Sequence, residues 1–174
     1  DPSVRAAWLD TQRGFFNGTS LCLRVHGLES QPHQLELVPV PGQARWQVAT
    51  ALTPKRCNRQ GFGLYEAEDN DELVDSPVEM GRFWSGDFVA CGIAHRFVVA
   101  GALPTFDGAR LLADAQKICE TAIRFWHGPG ARAARRAPHR RYVFMLNAVH
   151  DGYGGLEHRH STALIANRAD LPRV

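Results

Sequence analysis

Arg141-Tyr142-Val143-Phe144-Met145-Leu146-Asn147-Ala148-Val149 constrains the fold of this 174-residue chain more than any other stretch. It has strand length and is apolar at nearly every position, without the alternation of a strand that shows one face to water. A strand like this is buried on both faces, as in a sheet covered by helices. A suitable helix precedes it. From Ala109 onward, Leu111, Leu112, Ala115, Ile118, Cys119, Ala122, Ile123 and Trp126 follow helical spacing. Asp107 fits an N-cap, and Gly128-Pro129-Gly130 is a firm stop. Ser161 to Arg168 reads as another strand with only six residues after it, so the part that opens here reads as cut short.

The first hundred or so residues follow a different period. Ser20 to Gly27, Gln34 to Val38 and Arg45 to Thr50 read as short strands closed by glycine or proline. Phe88 to Ala100 is a longer β-type run that Gly92 interrupts with a bulge or bend. The fold class is therefore α+β. A β-rich sandwich or curved sheet spans residues 1–102, and a helix and strands follow over 103–174, with the seam near Gly101 to Pro104.

Composition excludes several classes. Hydrophobic residues make up 44% and charged residues 22%, which is ordinary globular composition. No apolar run approaches the roughly 18 residues of a membrane span. A net charge of +2 with no nucleic-acid motif gives no reason to expect a nucleic-acid partner. Cys22, Cys57, Cys91 and Cys119 form no CxxC pair and read as buried free thiols. The acidic stretch from Glu66 to Glu79 reads as a solvated loop, and Arg132, Arg135, Arg136, Arg140 and Arg141 as a surface linker. His158 and His160 share a face if their segment is a strand, but with His150 they fall short of a zinc signature. Asn17-Gly18-Thr19 is formally a glycosylation sequon. No basic-then-apolar leader opens the chain, and cytoplasmic and periplasmic locations both fit.

Asp151-Gly152-Tyr153-Gly154-Gly155-Leu156-Glu157-His158 carries the chemical interest. Two adjacent glycines permit close approach of another chain, which could pair with this edge by strand addition. Glu157 would then be free to meet a positive group such as an N-terminal amine. A hairpin turn with a surface glutamate is the other reading.

Gly154-Gly155-Leu156-Glu157-His158-Arg159-His160-Ser161-Thr162-Ala163-Leu164 resembles the GGLEH-x-x-S-T-A-L segment of the glycyl aminopeptidase family of zinc metallopeptidases. Arg13 to Leu21 and Asp71 to Gly81 resemble that family's N-terminal domain, in the same order. The resemblance implies a β-sheet domain followed by the first helix and strands of a thermolysin-like catalytic domain, in many members with a C-terminal PDZ domain. It also implies that Glu157 anchors the substrate's free amine, while the backbone at Gly154 and Gly155 lines the cleft.

One departure is large. Zinc enzymes of this kind need HExxH, in which two histidines bind the metal and the glutamate acts as base. No histidine here begins that motif. The expectation is a zinc-dependent aminopeptidase in the full-length protein, acting on peptides with a free N-terminus and removing glycine or alanine. This stretch would bind no zinc, hold no catalytic residue and be inactive alone. The alternative is a non-catalytic, β-rich peptide-binding or interaction module.

Overall fold

The computed structural model describes residues 3–129 and 135–174. Two antiparallel sheets come first. One contains β1 (Ala7–Leu9), β2 (Arg13–Phe16), β4 (Gln47–Thr50) and β7 (Val78–Gly81), in the order β1-β2-β7-β4. The other contains β3 (His33–Leu37), β5 (Thr53–Cys57) and β6 (Gly63–Ala67), in the order β3-β6-β5. Phe16, Val48 and Val78 of the first meet Leu37, Tyr65 and Ala67 of the second around Trp46, which is 1% exposed. This is the expected β-rich sandwich. The two segments that carry the N-terminal resemblance are neighbours in it, since β2 pairs with β7 from Arg13↔Gly81 to Phe16↔Val78.

Two expectations about this part fail. Ser20 to Gly27 is not a strand. Asn17 caps the short helix α1 (Gly18–Leu21), accepting a hydrogen bond from the Thr19 amide, and an irregular segment follows. Leu21, Leu23 and Val25 stay exposed, because no sheet face is there to bury the alternation. Asn17 itself is buried, so the sequon offers no exposed amide for a glycan. Nor is the acidic stretch a solvated loop. Asp69 caps α2 (Asn70–Val74), Glu66 pairs with Lys55 at 2.6 Å, and Glu79 lies buried in β7 against Arg13. The counter-charges come from distant positions, which is why the local sequence looks unbalanced.

The third sheet contains β8 (Phe83–Ala90), β9 (Ile93–Ala100), β10 (Arg141–Val149), β11 (Gly154–Glu157) and β12 (Ser161–Asn167), in the order β11-β12-β10-β9-β8. Strands β9, β10 and β12 are parallel. Gly92 marks a full reversal of the chain rather than a bulge or bend within one run. Cys91 (φ 50°) and Gly92 (φ 84°) are both left-handed, as a tight two-residue hairpin turn requires. The sheet thus begins before the expected seam, which falls between the paired strands β9 and β10.

β10 is central and covered on both faces. Val143 and Met145 pack on Ala49 and Ala51 of the sandwich. Leu146 and Ala148 face the other way, towards Leu111, Leu112 and Ala115 of α3 (Gly108–His127). Each fully buried aliphatic side chain stabilises this arrangement by roughly 1.5–3 kcal/mol. Asp107 caps α3, accepting from the Arg110 amide at 3.0 Å. At Gly86 a Cβ would lie 2.6 Å from Leu112 Cδ1, so the glycine lets α3 lie close over β8. Ile118, Phe125 and Trp126 point outward, so the apolar pattern is wider than the packed face. Gly130 and Arg132 lie outside the described residues. Arg141 opens β10 and donates to the Ala51 carbonyl at 2.6 Å, so it belongs to the sheet rather than to a surface linker. All four cysteines are free, and they are half-buried rather than buried.

Candidate functional site

β11 is the edge of the third sheet and pairs only with β12, antiparallel, from Gly154↔Ile165 to Glu157↔Thr162. Its outer side therefore carries backbone groups without a sheet partner. Side chains alternate across a strand, so what Leu156 does fixes where Glu157 points. Leu156 packs with Ile165 against Val4, Phe15 and Ala163, on the sandwich side of the sheet. Gly155 and Glu157 consequently lie on the opposite side, with Leu164 and Thr162. Glu157 is exposed and has no ion-pair partner among the described residues. A Cβ at Gly155 would meet Leu164 Cδ2 at 3.3 Å and Glu157 Oε1 at 3.5 Å, whereas one at Gly154 would meet nothing within 4 Å. The three residues expected to bind substrate thus share one short strand with an open edge.

The segment after Glu157 is a turn, not a strand. The His158 amide donates to the Ser161 carbonyl at 2.9 Å. Asp75, between α2 and β7, holds this turn with both oxygens. Oδ1 accepts from His158 Nδ1 at 2.9 Å, and Oδ2 accepts from the Arg159 amide at 2.8 Å. The His158 side chain is 5% exposed, and its Nε2 is buried without a partner among the described residues. Tyr142 stands nearby, its hydroxyl donating to the Ser161 carbonyl at 2.8 Å. Burial, with the carboxylates of Glu157 and Asp75 adding to it, pushes the Tyr142 phenol up to about 12.

The sequence placed Gly154, Gly155 and Glu157 in the site but gave Asp75 and Tyr142 no part in it. Asp75 lies in the Asp71 to Gly81 segment that carries the family resemblance, which was the only signal available. His150, His158 and His160 do not combine. Among the described residues, no three His, Cys, Asp or Glu side chains are placed to hold a metal ion. These residues therefore do not fit a zinc site, and no chemical step is assigned through one. Among the described residues no helix is long and apolar enough to cross a membrane.

Residues 1–82 match the family model described as the Peptidase M61 N-terminal domain. The match stops just before β8 begins at Phe83. The whole chain is similar to an aminopeptidase N family protein from Idiomarina loihiensis. Identity is 40% and the TM-score 0.91, covering 100% of this chain and 28% of that one. It shares its fold with an M1 zinc metallopeptidase from Deinococcus radiodurans (14% identity, TM-score 0.52, 94% of this chain and 38% of that one). The same holds for a variant two-domain M1 zinc metallopeptidase bound to L-arginine (12% identity, TM-score 0.52, 92% and 37%). The chain spans less than half the length of each of these proteins. No curated protein matches it significantly.

Proposed function

From the match of residues 1–82 to the Peptidase M61 N-terminal domain, we propose that this chain is the N-terminal portion of a zinc-dependent aminopeptidase that removes glycine or alanine from peptide N-termini. One observation carries the reading: Glu157 is an exposed carboxylate with no ion-pair partner among the described residues, on a strand whose outer edge is open. An extended peptide adds to that edge through backbone hydrogen bonds, with Gly154 and Gly155 allowing close approach. Its terminal ammonium meets Glu157 in a charge-assisted hydrogen bond, which sets the register at the first residue. An acetylated N-terminus offers no charge and loses that bond.

In this reading the metal ligands and the base belong to a catalytic part that this chain does not contain, and the chain alone is inactive. The sheet has room for such a part. Phe144, Leu164 and Ala166 remain half-buried on the side of β10 and β12 that α3 shares, while α3 itself lies over β8.

The first test is to read the coding frame past Val174 for HExxH. If the motif is found, Glu157→Gln in the full-length enzyme raises KM or lowers kcat/KM for free-amine substrates by about 10–100-fold, the size of a lost hydrogen bond to a charged group. Unchanged kinetics on those substrates would remove the anchor assignment. A stop codon instead would favour a non-catalytic peptide-binding module, with peptide binding as its assay.

A further inference from the structure

The residues on either side of Glu157 are both held by the N-terminal domain. Leu156 sits in a socket made by Val4 and Phe15, with Ala163 as its floor. His158 and Arg159 are held by Asp75 through two hydrogen bonds of 2.9 and 2.8 Å that reach across 83 and 84 positions of sequence. Val4, Phe15 and Asp75 all lie within residues 1–82, whereas Glu157 lies outside them. Within its own sheet β11 is four residues long, has one partner strand and begins with two glycines. Alone, such a strand would leave the Glu157 carboxylate loosely placed.

We infer that Asp75 is a positioning residue for Glu157: by clamping the His158–Arg159 turn, the N-terminal domain sets where the amine-anchoring carboxylate stands. The inference rests on the function proposed above for its meaning, and on the two hydrogen bonds for its geometry. An aspartate suits this position because its two oxygens accept from two donors at once. Asparagine has one acceptor and sets its NH2 against the other donor. The His158 ring is pinned with Nδ1–H towards Asp75, and its burial keeps water from replacing that bond.

The experiment uses Asp75→Asn, Glu157→Gln and the double variant in the full-length enzyme, with free-amine glycyl or alanyl substrates. Asp75→Asn raises KM by about 10–100-fold, as misplacing a binding group by about 1 Å does, and leaves kcat within about twofold. In the Glu157→Gln background the same substitution adds nothing further to KM. A damaged fold would instead lower kcat through the active fraction and act equally in both backgrounds. An unchanged KM in Asp75→Asn, or an undiminished effect beside Glu157→Gln, overturns the inference.

Amide exchange separates this failure from failure of the amine reading. If Glu157→Gln leaves KM unchanged, the amine anchor falls and exchange over residues 155–157 decides the clamp. Faster exchange in Asp75→Asn, with β10 unaffected, supports it, and unchanged exchange overturns it. Should Asp75→Asn fail to fold, His158→Gln removes the same ring contact and carries the same test.

Discussion

β10 and β11 belong to one sheet and differ in nearly everything that holds them. β10 has nine residues, a parallel neighbour on each side and apolar contacts on both faces. It would be a strand in almost any setting that offered a core. β11 has four residues, one neighbour and two glycines, and its position comes from Val4, Phe15 and Asp75. The candidate chemistry sits on the second kind of strand. A strand that must receive a peptide cannot be buried, so its rigidity is supplied from outside through contacts that leave its free edge open.

The strongest way to break this comparison is to disturb what both supports share. Arg13 and Glu79 form a two-pronged ion pair, both bonds 2.6 Å long, tying β2 to β7. Phe15 follows from β2, and Asp75 lies just ahead of β7. Burial raises the Glu79 carboxyl above the usual carboxylate range, with Arg13 pulling the other way. Glu79→Ala leaves the Arg13 guanidinium unpaired and costs about 3–5 kcal/mol in chemical denaturation, whereas Glu79→Gln keeps an acceptor and costs far less.

Met145→Ala and Leu156→Ala sharpen the contrast. Met145 is 2% exposed in the middle of β10, so its truncation lowers global stability by about 2–5 kcal/mol. Half-buried Leu156 costs less globally, and its loss shows first as faster amide exchange confined to β11.

The two glycines of β11 make a finer pair. Gly155→Ala pushes on Leu164 and costs about 1 kcal/mol, whereas Gly154→Ala enters open space and changes stability by less than about 0.5 kcal/mol. Equal effects in a thermal melt would mean that β11 shifts as a body.

The smallest effect expected is on pH dependence. His95 and His139 lie 6.4 Å apart beside the start of β10, and burial holds both rings below the ordinary value of 6.5. The fold favours the neutral rings, so their contribution is full above about pH 6.5 and declines as pH falls below it. Tm should therefore drop on acidification from pH 7 to 5. His139→Phe should flatten that drop. A profile unchanged by the substitution would exclude this pair as its source.

How much of this was legible depended on whether the cause was local. β10 and α3 follow from the apolar run and the helical spacing, because burial writes its period into neighbouring residues. Asp107 was legible as a cap for the same reason. Leu21, Leu23 and Val25 imitate that period without a sheet to bury them, so the alternation misled. The Cys91–Gly92 reversal looked like a bulge or bend, since one glycine does not announce a full turn. Physics singled out Glu157 and its two glycines but favoured a surface glutamate on a hairpin, and the resemblance decided for a binding role. Asp75 was not found because nothing at position 75 records a partner 83 residues away.

That separation also sets an order of events. Synthesis delivers the sandwich long before Leu156 or His158 exists, so the socket of Val4 and Phe15 waits empty while the intervening sheet is made. Closing a loop of this length adds only about 0.6 kcal/mol per doubling to the entropic cost, so the penalty falls on timing more than on stability. Glu157 is therefore fixed only after the sandwich that supports it has formed. A nascent chain halted before residue 156 carries Val4, Phe15 and Asp75 with nothing yet to hold.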